Sequence, residues 1–286
     1  MELPNTPFLS TRLNRPLYSR SHMQKPLVCV TLRGRTVEEI SNDAPKAEEM
    51  GADMVEVRLD LLWTTEEKIS KFKKSENGEI EEIEVIVNQL ELEEVEIKEA
   101  IKAISSAVES PLMFTCRPQR QGGFFPGTDE QRFSVLEAAI ASKPSWIDLE
   151  VDIPTLIRND LVKLAGNGTQ VIASLHSSEE VAPSVSEISQ DVLDAKEMGN
   201  LVKACYSTKD RKDALRIFES ALQLKDSEVN FSLMGLGPGG DWVRIHAPIL
   251  GQDLVFATTE SGWHLAQQGR INASDLRIAW EVLEYS

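Results

Sequence analysis

Three short apolar runs, each with a charged or polar side chain near its end, recur at nearly equal intervals and limit what this chain can become. They are Trp146-Ile-Asp-Leu-Glu-Val151, Gln170-Val-Ile-Ala-Ser-Leu-His176 and Leu201-Val-Lys-Ala-Cys-Tyr206. Runs of this length between helical stretches read as strands of a parallel sheet buried on both faces. The step from Glu150 to His176, and from there to Lys203, matches one strand, loop, helix and loop. The three side chains then occupy equivalent points on consecutive βα units, and a carboxylate, an imidazole and an amine converge on one mouth. A lysine inside an apolar strand is costly unless it is neutral, paired or near the strand end. The plain alternative is a packed stem with a solvated head.

The same rhythm runs through most of the chain. Leu27 to Leu32 reads as a strand, followed by a helix capped by Thr36, with Glu38 and Glu39 in its first turn, that ends at Met50-Gly51. Met54 to Asp60 is the second strand, and its charges Glu56, Arg58 and Asp60 alternate with Val55, Val57 and Leu59. Period two puts the charges on one face. In a parallel sheet covered by helices that face points inward, so the three suggest the polar floor of a site. Further strands are expected at Leu112 to Arg117, Val229 to Met234 and Asp253 to Ala257, with helices over 129–141, from Ser184 or Ser186 to Met198, over 209–224 and over 274–283. Gln121 to Gly127 reads as a mobile loop over the mouth. Eight strands with interleaved helices make an α/β (β/α)8 TIM barrel.

Two segments fall outside the rhythm. Residues 1–25, with three prolines and three arginines before Lys25, read as a flexible arm ahead of a barrel domain spanning 26–286. Residues 66–99 hold 12 Glu against 5 Lys, −7 of the net charge of −16. This stretch reads as an acidic, solvated insertion after the second strand, a strand or a helix over 80–95, with a turn at Asn77-Gly78 and helix resuming at Glu93 to Ser105.

The net charge argues against nucleic acid, which needs a basic face, and against a polybasic membrane anchor. Cys29, Cys116 and Cys205 each lie in an apolar run without ligand spacing and read as small core residues. No metal or cofactor is expected, and the protein is expected in the cytoplasm. The oligomeric state is left open, a homodimer included.

The chain resembles the type I 3-dehydroquinate dehydratases, the Schiff-base dehydroquinases of the shikimate pathway, over residues 26–286. The likeness is carried by Gly51-Ala-Asp-Met-Val-Glu-Val-Arg-Leu-Asp60, Phe114-Thr-Cys-Arg117 followed by Gly122-Gly123, Asp148-Leu-Glu150, Ser174-Leu-His176, Val202-Lys203-Ala204, Arg244 and Phe256. The resemblance implies 3-dehydroquinate as the small-molecule substrate, Lys203 as the imine-forming lysine, His176 as the general acid and base, and Glu150 as the carboxylate that orients the histidine. It also implies that Glu56, Arg58, Arg117 and Arg244 line the substrate site, Arg244 facing the substrate carboxylate. Arginines and partial burial are expected to lower the lysine's pKa toward neutrality. Where the family's lid carries Ser-x-x-x-Gln, this chain reads Ala266-Gln-Gln-Gly-Arg270, so Gln267, Gln268 and Arg270 are the candidates for the lid contacts. Two other readings stay open: a Schiff-base aldolase or lyase acting on a related polyhydroxy keto acid, and a degenerate barrel without activity.

Overall fold

The computed structural model describes residues 25–75, 78–177 and 179–285. The expected arm at 1–25, except Lys25, lies outside the described residues, as do Asn77 and Ser178. Eight parallel strands form one sheet: β1 (Leu27–Leu32), β2 (Met54–Arg58), β5 (Leu112–Thr115), β6 (Trp146–Glu150), β7 (Gln170–His176), β8 (Leu201–Ser207), β9 (Phe231–Leu236) and β10 (Leu254–Ala257). β3 (Thr64–Ser75) and β4 (Gly78–Gln89) form a separate antiparallel hairpin after the second strand. The helices in chain order are α1 (Val37–Glu49), α2 (Ile97–Ala107), α3 (Asp129–Ala141), α4 (Thr155–Ala165), α5 (Val185–Asp194) and α6 (Arg211–Leu224). Short α7 (Trp242–Ile245), α8 (Ala247–Leu250) and α9 (His264–Gln267) follow, then α10 (Ala273–Val282).

The alternation expected of each strand is met. On β6, Ile147 and Leu149 point outward into the shell shared with the helices, while Trp146 joins Leu27, Cys29, Met54, Met113, Ile172, Leu201 and Leu254 in an apolar plug inside the barrel. The plug seals one end, so polar side chains of the same inward parity gather above it, at the C-terminal ends of the strands. All three cysteines are free and buried.

The sheet curls until β10 pairs with β1, in register from Leu27 opposite Leu254. Among the described residues β9 and β10 share no strand ladder, and the last gap is closed by one backbone bond, Asp253 N to Phe231 O at 3.1 Å, and by side chains. The Gln252 Oε1 accepts from Leu233 N at 2.8 Å while its Nε2 donates to Val243 O at 2.8 Å, and the Asp253 carboxylate accepts from Phe231 N at 3.0 Å.

Several boundaries differ from the sequence reading for local reasons. The second strand stops at Arg58, because Asp60 sits in a 3-10 turn (Leu59–Trp63) where its carboxylate takes Arg58 side-chain donors and the Arg117 backbone N–H. The strand expected from Val229 starts at Phe231, where the Asp253 carboxylate takes the first N–H. The helix expected from Glu93 starts at Ile97, since Glu91 and Glu94 cap a separate 3-10 turn. The stretch over 80–95, which read as a strand or a helix, is divided: β4 of the hairpin runs to Gln89, and a 3-10 turn follows at Leu92–Glu94. The loop expected to be mobile is tied down: Phe125 is buried edge-on against Trp63, and Phe124 N donates to Asp60 at 3.0 Å. Gly123 is required there, because a Cβ would lie 2.0 Å from the Arg117 carbonyl oxygen. Among the described residues no helix is long and apolar enough to cross a membrane.

Candidate active site

Lys203 is 4 % exposed and projects into the barrel above the plug, its Nζ 3.2 Å from Glu56 Oε1, 3.3 Å from Asp148 Oδ2 and 3.9 Å from the centre of the Phe256 ring. Each carboxylate is held by other groups. Glu56 accepts from Thr31 at 2.6 Å and Thr115 at 2.8 Å, and Asp148 accepts from Ser174 at 2.5 Å and Arg117 at 3.0 Å. Burial pulls the lysine's pKa down, and Arg117 adds to that, but Glu56 and Asp148 push it up and prevail. A unit-charge contact near 4 Å is worth about 4 kcal/mol at an effective dielectric of 20, and two of them outweigh a burial penalty of several kcal/mol. The expectation of a lysine lowered toward neutrality is therefore not met. Lys203 rests as an ammonium, because the two carboxylates at its Nζ outweigh both burial and Arg117.

Among the described residues Glu150 makes no hydrogen bond to His176. Its two oxygens accept from Arg117 at 3.0 Å and Arg132 at 2.6 Å, and burial, which outweighs both guanidiniums, raises its pKa. Glu150 and Asp148 share the inward parity of β6, but Glu150 reaches toward α3 and Asp148 toward the lysine. Burial, helped by Arg117 and Lys203, pushes His176 well below the usual imidazole range, so the ring is neutral. Among the described residues its Nδ1 has no hydrogen-bond partner. A neutral imidazole with a free ring nitrogen, one strand away from a buried amine, is equipped to accept a proton and return it.

Four arginines meet the site differently. Arg117 forks between Asp148 and Glu150, reaches Ser174 at 3.0 Å, and has Gln121 at 3.4 Å. Arg58 is clamped by both oxygens of Asp60 at 2.8 and 2.6 Å. Arg244 is 4 % exposed and spends its donors on three carbonyls, of Gly269 at 2.8 Å, Phe256 at 2.6 Å and Gly235 at 3.4 Å. Burial without a carboxylate partner pushes its pKa down to about 10, so an anion placed on it would be welcomed electrostatically. In the expected lid, Arg270 donates to Glu260 at 3.0 Å and Thr258 at 3.0 Å, Gln268 accepts from Arg270 at 3.1 Å, and Gln267 is exposed. Lid contacts from Gln267, Gln268 and Arg270 need this segment to move inward.

Asp148, Ser174 and Arg132 were given no role from the sequence. Asp148 and Ser174 had a signal, since they share the inward parity of Glu150 and His176. Arg132 had a fainter one, lying one helical turn before Leu136 on the buried face of α3. Among the described residues no group of three or more His, Cys, Asp or Glu gathers as a metal site would. A surface cleft of about 960 Å³ opens elsewhere, between α1, the base of the hairpin and α2, and includes none of these groups.

The comparisons with known proteins agree with the geometry. A 3-dehydroquinate dehydratase of Methanothermobacter thermautotrophicus is 27% identical over 82% of this chain and 88% of its own length. That of Methanopyrus kandleri is 24% identical over 90% of this chain and 100% of its own. Among solved structures, the type I 3-dehydroquinate dehydratase of Clostridium difficile, 20% identical, superposes with a TM-score of 0.72 over 92% of this chain and 93% of that one, which supports the barrel. The model of the family described as type I 3-dehydroquinase matches residues 28–286. With nearly the whole barrel matched, from its first strand to its last helix, the chain belongs to the type I 3-dehydroquinase family.

Proposed function

We propose that this protein dehydrates 3-dehydroquinate to 3-dehydroshikimate in the shikimate pathway, through an imine between Lys203 and the substrate ketone. The observation that carries the reading is one buried lysine held between two carboxylates beside a neutral histidine with a free ring nitrogen. The substrate carboxylate pairs with Arg244, the buried guanidinium that lacks a carboxylate partner. The ammonium of Lys203 gives up a proton to the neutral His176, and the amine adds to the C3 carbonyl to form a carbinolamine. His176 returns that proton to the carbinolamine hydroxyl, which leaves as water, and the resulting protonated imine withdraws electrons from C2. His176 then removes the C2 proton to give an enamine, and returns a proton to the C1 hydroxyl as that group leaves as water. Hydrolysis of the imine frees the conjugated product and restores the amine. Asp148 and Glu56 stabilise each cationic stage at Lys203, because they are in place before charge develops.

Two measurements test this. Purified protein mixed with 3-dehydroquinate should generate the ultraviolet absorbance of a conjugated enone. Borohydride added during turnover should fix a substrate-derived mass on the peptide containing Lys203. Turnover with the label on another lysine would remove Lys203 from the mechanism, and absence of turnover would remove the substrate.

A further inference from the structure

Among the described members of the buried charge network, Arg132 is the one carried by a helix of the outer layer. It projects from α3 and is fully buried. Its Nη1 donates to Glu150 at 2.6 Å and to the Cys116 carbonyl at 3.2 Å, and its Nε donates to Asp129, the first residue of α3, at 3.2 Å. Its Nη2 is buried without a partner among the described residues.

From Arg132 an unbroken line of charged contacts leads inward through Glu150, Arg117 and Asp148 to Lys203, and on to Glu56. Together with the Arg58–Asp60 pair, the described network holds Glu56, Asp60, Asp148 and Glu150 against Arg58, Arg117, Arg132 and Lys203. The charges balance only when Arg132 is included. Resting on the assignment of Lys203 as the imine-forming amine, we infer that Arg132 is a positioning residue that tunes how readily Lys203 gives up its proton, by holding Glu150 so that Arg117 keeps part of its fork on Asp148.

The argument is electrostatic and geometric. Arg117 divides its donors between two carboxylates, and its share on Asp148 weakens the hold of Asp148 on the lysine. When Arg132 is absent, Glu150 has a free oxygen, the Arg117 fork turns toward it, and Asp148 is left to the ammonium. The network also loses a unit of positive charge. Both changes favour the protonated lysine, so its pKa rises. The other groups acting on the amine are fixed by the barrel: Cys29 on β1, Glu56 on β2, His176 on β7, Cys205 on β8 and Phe256 on β10. Arg158, on α4, donates to the Leu149 carbonyl and bonds neither carboxylate of β6.

The test compares Arg132→Met and Arg132→Lys with the full-length wild type through the pH dependence of kcat/KM on 3-dehydroquinate. Arg132→Met should move the limb on which Lys203 loses its proton up by about half to one pH unit, a three- to tenfold loss at pH values below that limb. Arg132→Lys, which keeps the charge, should return the limb to within a small fraction of that shift even if it melts earlier. A structural role alone would lower the melting temperature of both variants and leave the limb in place. Because Arg132→Met can fold poorly, borohydride trapping against pH on the soluble fraction gives the same midpoint without turnover. An unshifted midpoint in Arg132→Met, or an equal shift in Arg132→Lys, overturns the role of Arg132. Failure of wild type to trap at Lys203 overturns the assignment on which it rests.

Discussion

Lys203→Met separates the lysine's chemical role from its electrostatic one. The change keeps most of the side-chain volume and removes the charge that two buried carboxylates face. Asp148 retains Arg117 at 3.0 Å and Ser174 at 2.5 Å and stays ionised. Glu56 retains only the hydroxyls of Thr31 and Thr115 as direct partners. In the wild type, burial pushes the Glu56 carboxyl up, and Lys203, with Arg58 and the Thr31 hydroxyl, brings it below its ordinary value. Wild-type Glu56 therefore adds stability above its unfolded pKa and loses it as the pH falls. Without Lys203 burial dominates and the folded pKa lies above the unfolded one, so this carboxyl is harmless below its unfolded pKa and increasingly destabilising as the pH rises from there toward its folded value. Protonating a carboxyl of reference pKa near 4.4 costs about 3.5 kcal/mol at pH 7 and about 1 kcal/mol at pH 5. Those costs cap what an unpaired Glu56 can subtract. For a chain of this size they correspond to a fall in Tm of roughly 7–14 °C at pH 7 and roughly 2–4 °C at pH 5. Calorimetric scans of both proteins at the two pH values provide the comparison. A deficit independent of pH, or one that grows toward acid, would refute the reasoning.

Two further changes address the chemistry and the anion site. His176→Ala should lower kcat by about 10²- to 10⁴-fold, with borohydride still able to label Lys203; a variant that keeps most of its kcat would exclude the imidazole as the proton carrier. Arg244→Met should raise KM for 3-dehydroquinate by roughly tenfold or more, as expected for losing a charged hydrogen-bond donor worth about 1.5–3 kcal/mol; an unchanged KM would place the substrate carboxylate elsewhere.

Legibility from sequence followed the range of the interactions. Period-two alternation and the strand spacing were enough to bring Glu56, Asp148, Glu150, His176 and Lys203 to one end of one barrel, because parity within a strand is a local property. Which carboxylate serves which cation was not local. Glu150 and Asp148 are two residues apart, but their partners are decided by Arg132 on a following helix and by Lys203 two strands away. The direction of the lysine's shift was missed for the same reason, since counting arginines near the mouth ignores the carboxylates already engaged with them. Ile80 to Val95 could not be resolved as strand or helix because glutamates alternating loosely with Ile, Val and Leu satisfy either period.

The gap between β9 and β10 bears on how the enzyme responds to its ligand. Arg244 takes carbonyls from both banks of that gap, Gly235 on β9 and Phe256 on β10, and a third from Gly269 at the end of the lid segment. One guanidinium is thus a rivet through three pieces of chain along the one edge of the cylinder that is buttoned rather than woven. An edge held by so few bonds is where the wall opens most cheaply, and the rivet is also the group proposed to receive the substrate's anion. Any anion that binds there only while the edge is shut lends its binding free energy to keeping it shut. Occupancy of the site and closure of the cylinder are then coupled quantities, and amide exchange along β9 and β10 is a gauge of how full the barrel is.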